Sequence, residues 1–206
     1  MTDQIPRETH LHYLHTTLAL ARLSSPRPTN FRVGCVIVSY SDPANPRVLS
    51  TGYTLELPGN THAEECALGK LAAQRGKDAD GYDGLFAARE RVVLYTSLEP
   101  CGVRMSGNMA CVRRIVATRG GVERVVFGAR EPGTFVRDSQ SCRMMTEAGV
   151  EWEYLPEYEE EILEIAKAGH VRDSIQESGS DVTLDTASLL RPRRPDEPPN
   201  RLKRMM

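Results

Sequence analysis

The chain has 206 residues, of which 40% are hydrophobic and 26% charged, and its formal net charge is −2. That length serves one sizeable hydrophobic core, and that charge argues against a nucleic-acid-binding surface spread over the body. No apolar run is long enough to span a bilayer or to act as a secretory segment at the start. The charge is unevenly placed. Arg191, Arg193, Arg194, Arg201, Lys203 and Arg204 face only Asp196 and Glu197 in the last sixteen residues, a balance of +4 that leaves −6 on the preceding 190. The five cysteines form an odd set, which reads as a reduced, intracellular and cytoplasmic protein rather than a disulfide scaffold.

In chain order, residues 8–23 read as a helix, with Leu11, Leu14, Leu18 and Leu20 as an imperfect apolar face. His10, His12 and His15 do not share one side of it and are read as packing or solvated histidines. Pro26 and Pro28 break the chain before residues 33–39 (VGCVIVS), an apolar run suited to a strand buried on both faces. Pro43 and Pro46 mark a turn, and residues 48–57 predict the returning antiparallel strand.

A second helix is predicted from His62 to about Gln74, followed by the polar loop 76–84 and a strand over 91–97 that delivers Cys101 to its carboxyl end. Cys111 opens a third helix that ends at Gly120 and Gly121. A strand over 122–128, a helix over 139–148, a strand over 150–155 and an acidic amphipathic helix over 157–170 complete the pattern. Alternating elements imply an α/β layered fold, its first two strands antiparallel and the later ones joined by right-handed crossovers. Residues 1–171 are expected to form the folded domain. Residues 172–206 turn polar, then basic and proline-rich, and read as an extension without its own core that lies near the mouth of the catalytic site.

Two stretches carry chemistry: Thr61-His62-Ala63-Glu64, and Leu98-Glu99-Pro100-Cys101 followed by Cys111. One imidazole and two thiolates suffice for a tetrahedral zinc with its fourth position open, the catalytic rather than the structural pattern. Zinc lowers the pKa of a bound water to about 7, and Glu64, two residues from His62, is placed to move protons. His-Ala-Glu or Pro-Cys alone would say little; the ordered conjunction is much more specific. His62 and Cys111 both fall at predicted helix starts, which favour negative charge. Cys35 and Cys142 read as core residues. Cys66, four residues after His62, is a candidate substitute ligand by helical spacing.

The His-x-Glu…Pro-Cys…Cys pattern resembles the zinc-dependent nucleobase deaminases. Within them, residues 30–155 resemble the riboflavin-pathway branch. The similarity is carried by Pro28-Thr29-Asn30-Phe31-Arg32-Val33-Gly34, by the nine residues between Cys101 and Cys111 where cytidine and tRNA deaminases typically have two, by Arg104-x-Ser106-Gly107-Asn108, and by Glu131-Pro132-Gly133-Thr134-Phe135.

The resemblance implies a three-layer α/β/α fold around a five-stranded mixed sheet, a Zn2+ cofactor and a homodimer. It further implies deamination of 2,5-diamino-6-ribitylamino-4(3H)-pyrimidinone 5′-phosphate, a small phosphorylated substrate. Asn30, Arg104, Ser106 and Asn108 become the expected substrate contacts, and Arg32 and Arg137 candidate phosphate partners. The bacterial member carries a fused reductase domain for which these residues leave no room, which favours a route in which a separate reductase acts first. The alternatives are a cytidine or deoxycytidylate deaminase, a tRNA adenosine deaminase subunit, and a non-enzymatic module with zinc as a structural clip.

Overall fold

Two strands with every residue buried, Gly34–Ser39 (β1) and Val92–Leu98 (β3), form the centre of the sheet, as their largely apolar sequences require. The computed structural model describes residues 5–78, 81–88, 90–132 and 140–170. Arg47–Tyr53 (β2), Arg124–Ala129 (β4) and Glu151–Tyr154 (β5) complete a sheet of order β2-β1-β3-β4-β5. β1 is antiparallel to β2 and β3, whereas β4 is parallel to both β3 and β5. The predicted return strand stops at Tyr53, because Leu55 takes a left-handed φ of 63° and its N–H turns to the Thr61 carbonyl.

Helices cover both faces. Arg7–Leu23 (α1) and Glu159–Ala166 (α5, preceded by a 3-10 turn at Pro156–Tyr158) lie on one side. Ala63–Gln74 (α2), Cys111–Val116 (α3) and Gln140–Glu147 (α4) lie on the other. The alternation of β1 shows the division: Cys35 and Ile37 join Leu68, Ile115 and Met145, while Val36 and Val38 join Tyr13, Leu14 and Tyr95. The buried face of α1 is His10, Tyr13, Leu14, Thr17, Leu18 and Ala21. A count of leucines alone misplaces it, since His10 and Thr17 enter the core by satisfying their polar atoms: His10 Nδ1 pairs with Tyr95 OH at 2.9 Å, and Thr17 Oγ1 donates to the Leu14 carbonyl at 2.6 Å.

Two glycines set how closely helices approach the sheet. A Cβ on Gly34 would lie 2.0 Å from the Thr17 carbonyl oxygen, and one on Gly52 would lie 2.2 Å from that of Ala63. Gly52 therefore lets the first turn of α2 sit directly on β2 and sets the height of His62 above the sheet. Residues 172–206, including the basic extension, fall outside the described residues. Among the described residues no helix is long and apolar enough to cross a membrane.

Candidate active site

The site is assembled at the carboxyl end of β3 and the start of α2. His62 is the N-cap of α2, extended at φ −93° and ψ 163°, and its backbone N–H donates to Glu65 Oε2 at 3.2 Å. A carboxylate three residues after the cap is the capping-box spacing. β3 ends at Leu98; the next turn carries Cys101, whose carbonyl accepts the Val112 N–H at 3.2 Å. Cys111 is the first residue of α3.

These elements bring the three expected ligands together. His62 Nδ1 lies 3.6 Å from Cys101 Sγ and 3.4 Å from Cys111 Sγ, and all three atoms fall within 4.8 Å of one another. Bonds of about 2.1 Å to nitrogen and 2.3 Å to sulfur, opened to the tetrahedral angle, place N and S about 3.6 Å apart. The donor set and its spacing fit zinc. Hydrogen bonds from Cys111 draw the Cys101 thiol down to about 4 against the opposing effect of burial, with His62 adding to the pull. Cys111 is pushed well up by the proton it shares with Cys101 and by burial. For His62 burial favours the neutral ring, but the hydrogen bond to Cys101 and the charge of Glu64 raise its pKa on balance.

Glu64 is 3% exposed and accepts from Thr96 Oγ1 at 3.3 Å. Burial, then the neighbouring Cys101 sulfur, raises its carboxyl above the usual range. Glu64 lines a cavity of about 220 Å³ together with His62 and Cys101. Asn30, Arg104 and Ser106 stand on the same walls. Asn108 does not: it borders an adjoining depression with Tyr82 and Arg114.

Arg104 is engaged with the protein itself. Its side chain is 3% exposed and donates to Glu65 Oε2 at 2.7 Å and to the Asn60 carbonyl. Arg114 NH2 donates to Glu65 Oε1 at 2.8 Å and its NH1 to Tyr82 OH at 2.7 Å. One carboxylate thus ties the loop between the cysteines and helix α3 to the start of α2. On the rim, Asn30 Nδ2 donates to Asn60 Oδ1 at 2.7 Å.

Arg32 corrects the expectation of a phosphate partner: its Nε donates to the Ser24 carbonyl at 2.7 Å and its NH2 to that of Arg22 at 2.6 Å, closing the carboxyl end of α1. Arg137 lies outside the described residues. Cys66 is not a substitute ligand. Its thiol bonds to Thr61 and Leu57, and the ligand atoms that gather within 4.8 Å of one another are those of His62, Cys101 and Cys111. Cys35 is core, but Cys142 does more than pack: its Sγ donates to Glu99 Oε1 at 3.4 Å.

Sequence reading missed Asn60 and Glu65, and quoted Glu99 and Glu131 only within motifs, without a role for either. Glu99 is buried, accepts from Ser141 Oγ and lies 3.7 Å from Arg130. Burial, then the Cys101 sulfur, lifts Glu131 to about 6. Both border the cavity. Glu65 carried a signal of its own, its capping-box spacing, and Glu99 and Glu131 stood within motifs already quoted.

The fold and this His-Cys-Cys group beside a buried carboxylate are those of a nucleotide-type deaminase. A family model described as the cytidine and deoxycytidylate deaminase zinc-binding region matches residues 7–129, and the chain belongs to that family. It is 32% identical over 161 residues to a diaminohydroxyphosphoribosylamino-pyrimidine deaminase of Schizosaccharomyces pombe, matching 78% of this chain and 36% of that protein. The chain therefore spans about a third of the length of that curated relative. Crystal structures of Aspergillus oryzae Rib2 deaminase, a C-terminal deletion mutant, are also similar. One at pH 6.5 is 44% identical with a TM-score of 0.72, covering 78% of this chain and 92% of that one. Another, in complex with DARIPP, is 46% identical with a TM-score of 0.72 over 78% and 91% of the two chains. Acinetobacter baumannii RibD is 25% identical with a TM-score of 0.54, over 79% of this chain and 39% of that one.

Proposed function

We propose that this protein is the hydrolytic deaminase of riboflavin biosynthesis that converts 2,5-diamino-6-ribitylamino-4(3H)-pyrimidinone 5′-phosphate into the corresponding uracil, water oxygen replacing the 2-amino group and ammonia leaving. The observation that carries this reading is the 46% identity to an Aspergillus oryzae deaminase crystallised with DARIPP. The cavity bordered by His62, Glu64 and Cys101 supports it from this chain's own side.

His62 Nδ1, Cys101 Sγ and Cys111 Sγ would hold zinc, which when bound acidifies a coordinated water at neutral pH. Glu64 accepts one proton of the attacking water on its carboxylate and passes it to the ring nitrogen beside C2; it then takes the remaining proton from the new C2 hydroxyl and passes it to the amine, which leaves as ammonia as C2=O forms. Its burial keeps bulk water from competing for those protons. Thr96 orients the carboxylate. Asn30 and Ser106 offer polar atoms to the substrate, while Arg104 acts chiefly by shaping the wall. Residues 1–171 form the catalytic domain in this reading and 172–206 an extension to it, and the enzyme works as a homodimer, which sedimentation of the purified protein checks.

Four substrates separate this reading from its rivals. Zinc-loaded protein is offered the ribityl pyrimidinone phosphate, cytidine, deoxycytidylate and a tRNA stem-loop with adenosine at the wobble position. Ammonia release from the first alone is the expected result; release from any of the others with none from the first overturns it.

A further inference from the structure

We infer that Arg27 forms a phosphate-monoester subsite at the mouth of the catalytic cavity. This inference rests on the proposed function only for the identity of the molecule that carries the phosphate.

The turn Arg27-Pro28-Thr29-Asn30 is closed by a backbone bridge between Arg27 and Asn30. Thr29 and Asn30 border the catalytic cavity, and with Arg27, Asn60 and Glu56, whose carboxylate is paired with Lys70, they also border the depression beside it. A ligand seated against Glu64 that extends past Thr29 and Asn30 enters the depression that Arg27 borders. The charges dictate which end goes where. Glu64, Glu99 and Glu131 border the inner cavity, so a phosphate dianion is repelled there and an amino-substituted ring is welcome. The other guanidinium on these walls is held by the protein: Arg104 donates to Glu65 and to the Asn60 carbonyl. Among the described residues Arg27 is exposed and has no acceptor for its guanidinium.

The turn is also braced. A Cβ on Gly169 would lie 2.3 Å from the Arg27 nitrogen, so the segment after α5 packs directly on the turn backbone. His170 Nε2 pairs with the Asn30 carbonyl at 3.2 Å, and its ring stacks on Phe31 at 4.6 Å. Such bracing reduces the ordering cost of binding, and an arginine fork matches phosphate oxygens in two-pronged geometry.

Calorimetric binding and steady-state turnover of the full chain, with zinc, use the ribityl pyrimidinone with and without its 5′-phosphate, for wild type, Arg27→Ala and Arg27→Lys. Inorganic phosphate serves as competitor. Wild type binds the phosphorylated compound more tightly, and free phosphate weakens that preference. Arg27→Ala loses roughly tenfold or more in affinity for the phosphorylated compound alone, the scale of a lost charge-assisted hydrogen bond. Its affinity for the unphosphorylated compound and its melting temperature stay unchanged, and Arg27→Lys recovers part of the loss. Equal binding of both compounds by wild type, or an unchanged preference in Arg27→Ala, overturns the subsite. Binding with that preference but without turnover would instead refute the proposed reaction and leave the subsite standing.

Discussion

The backbone N–H of Cys111 donates to Cys101 Sγ over 3.3 Å, so the first turn of α3 supports a thiolate on the preceding loop before any metal arrives. With His62 3.6 Å away from that sulfur, the arrangement is preorganised for a tetrahedral ion. Cys101→Ser and Cys111→Ser should each lose zinc on dialysis against a chelator concentration that leaves wild type loaded, as measured by elemental analysis. Full retention in both variants would refute the ligand assignment.

Glu64→Gln should retain zinc and bind substrate, yet turn over at least about a hundredfold more slowly, the usual scale for lost acid–base catalysis. The amide preserves shape and the Thr96 hydrogen bond but cannot shuttle protons. Single-turnover rates with saturating substrate make the comparison, and near-normal rates would remove Glu64 from the chemistry.

Glu65 pairs with both Arg104 and Arg114, whose side chains are 3% and 7% exposed. Glu65→Gln removes the carboxylate that the two buried guanidiniums share, which should cost about 3 kcal/mol in urea unfolding. A loss below about 1 kcal/mol would show that these pairs contribute no more than exposed ones do.

His10 gives the fold a specific acid sensitivity. Burial lowers its pKa, opposed by Glu153 and aided by Arg124 and Arg7. Between that lowered value and the unfolded value of about 6.5 the unfolded chain binds more protons, so stability falls as pH drops through this window. Urea midpoints at pH 7.5 and 5.5 should fall more for wild type than for His10→Gln. Equal falls would show that protonating His10 costs the folded state nothing.

The strands were legible because a strand buried on both faces is mostly apolar, as GCVIVS and VVLYTSL are, with Ser39, Thr96 and Ser97 as their buried polar residues. The ligands were legible because zinc chemistry restricts residue type and local spacing, and His62, Glu64 and Cys101 each occupy a recognisable turn. Two expectations failed for a shared reason. Arg32 and Cys66 were judged by chain position, but Arg32 closes the end of α1 and Cys66 turns towards Leu57 and Thr61.

By itself, then, the sequence determined the order of the elements and the chemistry of the metal group, both governed by short-range pattern and residue type. Only the tertiary structure decided what each charged side chain is for. Asn30 meets Asn60 across 30 positions, Arg104 meets Glu65 across 39 and Arg114 meets Glu65 across 49. A guanidinium is equally suited to a carboxylate, a carbonyl or a phosphate. Its role follows from which loops the sheet brings together, and Arg27 differs from Arg32 and Arg104 because no acceptor of the described fold reaches it.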